Sequence, residues 1–222
     1  MARRAPKPEF AVIGLGRFGR GVALTLVRRG FTVLGIDRDR AVTQDLADEL
    51  TQTVALDSTD EEALTAVDIA SFDTVIVGIG ADFESSLLTT VALKSVGVRR
   101  VVCKALSERQ QAILLKVGAD QVILPEHEAG QRLAYMLTTP LMLDQLPLGP
   151  EHSISELRPP PSYLGKPLRA LDERDRLRVA IVALKRGHEV IIAPPMETVL
   201  AGDDVLVVIG PTDQVARFAD LD

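Results

Sequence analysis

The sequence predicts an α/β fold: a doubly wound parallel sheet over residues 8–140, a linker over 141–150 and a small α+β domain over 151–222. Three observations predict it. Short Val- and Ile-rich runs recur through the first two-thirds of the chain with little polar alternation, as strands buried on both faces do. Helix-length amphipathic segments separate them, and strand–helix alternation repeated this often builds a doubly wound sheet. After the proline- and glycine-bearing stretch Thr139–Pro150 the pattern changes to strands joined by tight turns.

In order, the strand-like runs are Phe10–Gly14, Thr32–Asp37, Thr53–Leu56, Thr74–Gly78, Arg100–Lys104 and Gln121–Leu124. Phe18–Val27 reads as the first helix, opening just after a glycine turn. Ser58–Glu61 and Ser107–Gln110 read as capping boxes, where a Ser oxygen and an acidic or amide side chain satisfy free N–H groups. A long helix is expected over Glu126–Leu137, with Pro140 beyond it. In the last third Val179–Lys185, Glu189–Ile192 and Val205–Ile209 read as strands. Arg186-Gly187-His188 signals a hairpin turn between the first two.

The chain has 222 residues, 46% of them hydrophobic and 4% aromatic, so its core is built mainly of Leu, Val, Ile and Ala. A net charge of −6 argues against a nucleic-acid partner, because phosphate backbones select basic surfaces. The basic start (Arg3, Arg4, Lys7) reads as a solvated tail. Cys103 is the only cysteine, which fits a reducing compartment. No signal peptide is expected, and no apolar run approaches the roughly 18–20 residues of a membrane span. The expectation is a cytoplasmic protein that reaches any membrane process through a partner.

Gly14-Leu15-Gly16-Arg17-Phe18-Gly19 is a G-x-G-x-x-G that follows the first strand and begins the first helix. The first glycine allows the tight turn, the second lets a pyrophosphate approach the backbone, and the third lets helix pack on strand. Phosphates then sit at a helix N-terminus, where free N–H groups and the dipole favour anions. Asp37 ends the second strand, where a carboxylate accepts hydrogen bonds from ribose hydroxyls and repels a 2′-phosphate. The site therefore suits NAD or an adenosine nucleotide better than NADP, an exclusion that Arg38 next door softens. The pattern makes the nucleotide-binding half Rossmann-like.

Catalytic signals are missing. His127, His152 and His188 sit in unrelated contexts, and no nucleophile elbow, paired-cysteine metal site or Walker lysine loop is present. Cys103 lies in an apolar strand and reads as a packed small hydrophobe. Binding without chemistry is expected; the alternative is an NAD-dependent oxidoreductase or another nucleotide-using enzyme.

The glycine loop, Asp37, the segment Leu56-Asp57-Ser58-Thr59-Asp60, and Gly118-Ala119-Asp120-Gln121-Val122-Ile123 with Pro125-Glu126 resemble the RCK (regulator of potassium conductance) fold. Within it the match is best to the cytosolic regulatory subunits of Ktr and Trk potassium transporters, and it covers nearly the whole chain. The resemblance implies homodimers that assemble into an octameric ring under a membrane potassium-translocating subunit, activated by ATP and relaxed by ADP. The single-copy length favours the Ktr branch.

By the same resemblance, Arg17 reaches a terminal phosphate; Phe18 belongs to the same loop. Asp37 holds the ribose, with Arg38 counted beside it in the cofactor site; Asp57 and Ser58 lie on the adenine side, Gly80 and Ala81 along the phosphates, and Lys104 faces the site. Glu126 matches a glutamate near the terminal phosphates where Mg²⁺ or Ca²⁺ binds; the plain alternative is an acid favouring a helix start. Cys103, Lys104 and Ala105 stand where calcium-gated channel members carry carboxylates, which argues against that calcium site. Some Ktr subunits bind cyclic di-AMP at the interface of their C-terminal modules. Leu168, Arg174 and Pro194 match the places used, while Arg169 and Arg178 stand where an apolar and a small residue are expected. A module that only dimerises is the alternative.

Overall fold

A computed structural model describes residues 7–149, 151–171 and 176–221. The six Val- and Ile-rich runs become strands β1 (Glu9–Ile13), β2 (Thr32–Asp37), β3 (Gln52–Ala55), β4 (Thr74–Val77), β5 (Val101–Lys104) and β6 (Gln121–Ile123). They form one parallel sheet in the order β3-β2-β1-β4-β5-β6. Central positions are buried on both faces: Ala11, Val12 and Ile13 of β1 are 1% exposed or less. One face packs with Leu64, Leu93 and Leu114, the other with Ala23, Leu46 and Leu50. Two covered faces explain why these strands show no polar alternation.

The first helices are α1 (Arg17–Arg28), α2 (Arg40–Asp45), α3 (Glu61–Ala66), α4 (Phe83–Ser95), α5 (Glu108–Lys116) and α6 (Pro125–Thr138). Four of them start on a side-chain cap: Asp39 for α2, Asp60 for α3, Asp82 for α4 and Ser107 for α5. At α5 the expected box forms in shifted register: Ser107 Oγ accepts from Gln110 N, while Gln110 Oε1 accepts from Leu106 N at 2.9 Å.

The box expected at Ser58–Glu61 does not form. Asp60 Oδ1 takes Glu62 N at 2.9 Å instead, being nearer the helix start and carrying a charge. Ser58 turns to a 2.8 Å hydrogen bond with Thr89 Oγ1 of α4.

The second sheet is antiparallel. It contains β7 (Met142–Pro147), β8 (His152–Leu157), β9 (Ala180–Arg186), β10 (Glu189–Ile192) and β11 (Val205–Pro211), in the order β10-β9-β11-β8-β7. Helix α7 (Thr212–Ala219) packs Val215 and Phe218 into a core with Leu157, Leu184, Leu206 and Val208. Gly187 and His188 alone join β9 to β10, and Gly187 holds φ +57°. The stretch 141–150, expected as linker, contributes β7. Pro147 ends that strand, and β7 lies at the sheet edge, where proline is tolerated because its missing N–H breaks no ladder bond.

The described chain divides into two compact units that meet in sequence at His127/Glu128. Among the described residues no helix is long and apolar enough to cross a membrane.

Candidate functional site

The order of the parallel strands reverses between β1 and β4, and ligands of such sheets bind outside the strand ends at that point. A cavity of about 430 Å³ lies there. Its walls are the glycine loop after β1, Asp37 and Arg38 at the end of β2, Leu56 to Thr59 after β3, and Gly78 to Asp82 with the start of α4.

The three loop glycines have separate physical reasons. Gly14 sits at φ +83°, and a Cβ there would lie 3.0 Å from Ile79 N. A Cβ on Gly19 would lie 1.9 Å from Gly14 O, so only glycine lets α1 sit this close to β1. Around Gly16 nothing lies within 4 Å of such a Cβ. That open side is the cradle that a pyrophosphate approaching the backbone requires. Gly16 is also the N-cap of α1 and offers no side-chain cap, and the first turn holds no acid. The free N–H groups of α1 thus remain available to an anion, in contrast to the four capped helices.

Asp37 is held in place by the loop it serves. Its Oδ2 accepts Leu15 N at 2.7 Å and its Oδ1 accepts Asp39 N at 3.0 Å. Each carboxylate oxygen keeps a further lone pair for another donor. Across the cleft Asp57 Oδ1 accepts both Thr59 N, at 2.9 Å, and Thr59 Oγ1, at 2.7 Å. The Thr59 N–H, then its hydroxyl, holds the Asp57 carboxyl below its ordinary range, with Arg38 adding to the effect. Arg38 NH1 lies 3.9 Å from Asp82 Oδ2 at the mouth.

A second cluster adjoins the Gly80 wall of the cavity. Lys104 closes β5 and donates from Nζ to Glu126 Oε1 at 2.5 Å, while its ammonium lies 5.7 Å from the Phe18 ring centroid. The Lys104 hydrogen bond is the main reason the Glu126 carboxyl is held below its ordinary range; the Arg17 charge contributes as well. Arg17 itself is exposed at the first position of α1.

Of the residues expected at the site, Gly14, Gly16, Asp37, Arg38, Asp57, Ser58, Gly80 and Ala81 line the cavity. Gly19 lies beneath the loop, and Phe18, Lys104 and Glu126 form the neighbouring cluster. Sequence reasoning missed Thr59, Asp82 and Ser85. Asp82 caps α4 through Ser85 N and Ser85 Oγ, and the Asp82-x-x-Ser85 spacing was the readable signal. In the second unit Leu168 is 1% exposed within the core and Pro194 is buried. Arg174 lies outside the described residues. Cys103 is buried against Thr90, and burial raises its thiol pKa, the state of a packed hydrophobe and not of a nucleophile.

A Rossmann-like parallel sheet with an open glycine cradle, followed by a small antiparallel domain, defines an RCK-type architecture. The TrkA-N domain family matches residues 10–125 and the TrkA-C domain family residues 153–221. Ktr system potassium uptake protein C of Bacillus subtilis (strain 168) is 39% identical over 212 residues, 96% of each chain. Ktr system potassium uptake protein A of Vibrio alginolyticus is 36% identical, over 94% of this chain and 95% of that protein. Among solved structures the GsuK RCK domain superposes with a TM-score of 0.70 at 17% identity, over 99% of this chain and 48% of that one. The chain belongs to the TrkA-N/TrkA-C family, together with the Ktr system potassium uptake proteins.

Proposed function

We propose that the chain is a nucleotide-sensing regulatory subunit of a Ktr-type potassium uptake system, distinguishing ATP from ADP and gating a membrane potassium-translocating partner without catalysis. One observation carries the reading. The Asp37 carboxylate is fixed beside an uncapped α1 N-terminus and an open glycine cradle, in a chain similar over nearly its full length to Ktr proteins. Ribose at Asp37 puts the base toward Asp57 and Ser58, and the phosphates along Gly16 and the Gly80–Ala81 wall. Arg17, exposed at the start of α1, is the candidate for a terminal phosphate, and its fork geometry suits phosphate oxygens.

A divalent cation such as Mg²⁺ or Ca²⁺ fits beside Glu126 only with ligands from phosphate oxygens or water. No group of three or more His, Cys, Asp or Glu side chains able to hold a metal occurs among the described residues. The exposed apolar side chains of α6 support a homodimer, from which a ring is built. Cyclic di-AMP remains a second candidate ligand for the C-terminal domain, at Arg174 and Pro194; Leu168 would contribute only by leaving the core.

The test is mass analysis of ligands released from the purified protein, followed by calorimetric titration with ATP, ADP, NADH and cyclic di-AMP in Mg²⁺. ATP and ADP are expected to bind with different affinities. NADH binding alone, with sustained turnover of a carbonyl substrate, would establish the oxidoreductase alternative.

A further inference from the structure

Lys104 and Glu126 are unequal partners. The Lys104 side chain is 9% exposed, whereas that of Glu126 is 59% exposed. Gly80, a wall of the cleft, faces the ammonium: a Cβ on Gly80 would lie 3.2 Å from Lys104 Nζ. The ammonium therefore stands directly behind the surface that the proposed phosphates pass, with Phe18 on another side.

If the pair opens, Glu126 returns to water at little cost. Lys104 is left as an enclosed charge without a counter-ion, which is costly. Lys104 therefore releases Glu126 readily only when another anion takes its place. Glu126 is the second residue of α6, and the chain passes from the first compact unit to the second at His127/Glu128.

We propose that the Lys104–Glu126 pair is a partner-exchange latch: a phosphate of the bound nucleotide replaces the Glu126 carboxylate on Lys104 and thereby frees the first turn of α6. The latch rests on the nucleotide reading above. It selects by charge. Adenosine brings no anion and leaves the pair closed, whereas a polyphosphate brings one to the uncapped end of α1, beside Gly80. Lys104 has three N–H donors and no acceptor, so a phosphate oxygen is a full chemical substitute for the carboxylate. The freed segment is the one that leads into the second unit, so the exchange converts occupancy of the cleft into a change at the chain's crossing point.

Calorimetry with ATP and with adenosine, in a chelator that removes divalent cations, tests the exchange. Glu126→Gln withdraws the competing carboxylate and is expected to tighten ATP binding about one-and-a-half- to fivefold, the range of a partly exposed ion pair, with adenosine unchanged. Lys104→Gln is expected to weaken ATP binding and to abolish the gain from Glu126→Gln. Unchanged or weaker ATP binding by Glu126→Gln overturns the latch. So does a gain that persists in full beside Lys104→Gln, since the carboxylate would then only repel phosphate. Circular dichroism checks folding. If Glu126→Gln does not fold, Glu126→Asp, which keeps the charge but shortens the reach, is expected to tighten ATP in the same direction, and no gain there overturns the proposal. A wild-type protein that binds no adenine nucleotide would bring down the functional reading and the latch together. Normal wild-type binding with unresponsive variants removes the latch alone.

Discussion

Asp37 shows how one side chain serves loop and ligand together. Its Oδ2 already holds Leu15 N at 2.7 Å, so truncation removes an anchor of the glycine loop as well as the proposed ribose acceptor. Asp37→Ala is expected to weaken ATP and ADP alike by about 1.5–3 kcal/mol, the scale of hydrogen bonds to a charged group. Calorimetry checks this, and unchanged affinity for both nucleotides would remove the ribose assignment. Arg17 is expected to behave differently. ATP and ADP share everything except the terminal phosphate, and only a contact with what differs can distinguish them. Arg17→Ala should cost ATP more than ADP, by about 1.5–3 kcal/mol, with Arg17→Lys a partial rescue because a point charge lacks the fork. Paired titrations in Mg²⁺ decide it: equal losses would place Arg17 on the shared phosphates.

At the scale of elements, α1 and α6 depart from their neighbours in opposite ways. Helix α1 buries Gly19 and Ala23 but leaves its N-terminus uncapped, which is affordable where an anion binds. Helix α6 buries none of its side chains within the single chain. Leu133 is 54% exposed and Leu137 77% exposed, with Tyr135 and Met136 also open. Exposed apolar side chains grouped on one helix mark an interaction surface. Light scattering should therefore give the wild type a mass above the 24.0 kDa of one chain. Leu133→Glu combined with Leu137→Glu is expected to return it to that value, since two charges would be buried unpaired. A wild-type monomer at micromolar concentration with nucleotide present would defeat the prediction.

For the molecule as a whole, several carboxyls are held below their ordinary range by fixed partners. Asp144 is lowered first by its hydrogen bond to Arg132, Asp120 by Val101 N–H, and Asp82 by the Ser85 hydroxyl. Burial is the largest influence on Asp204 and raises it, but the Arg186 hydrogen bond, the Ala201 N–H and the Arg186 charge together leave it lowered. A carboxyl whose pKa is depressed by folding adds stability above its unfolded value, and that stability is lost as pH falls through the folded value. Unfolded aspartates titrate near about 3.9. Melting temperature is accordingly expected to change little through these groups from about pH 7 to pH 5 and to fall progressively below about pH 4. Thermal melts across that range check it; a melting temperature that rises on acidification below pH 4 would contradict the assigned directions.

The sequence by itself determined what depends on neighbours along the chain. Each parallel strand was legible to within a residue or so at either end, because burial on both faces imposes an unbroken apolar run. The glycine loop was legible because a turn at φ +83° and a helix start where a Cβ would lie 1.9 Å from Gly14 O demand residues without a Cβ. The acid at the end of β2 followed from the same spacing. Tertiary structure alone decided what depends on partners distant in sequence. Ser58 had the spacing of a cap, yet Asp60 won the helix start and Thr89, 31 residues away, took the Ser58 hydroxyl. Residues 142–147 looked like linker because the stretch Thr139–Pro150 around them carries three prolines and a glycine, and became a strand only because β8 offered an edge with which to pair. Lys104 and Glu126 were both readable as site residues, but not as a pair 22 positions apart, whose meaning depends on which of the two is enclosed. Local periodicity fixes which backbone forms which element. The choice among competing hydrogen-bond and ion partners is made by burial, which exists only once the sheets have assembled.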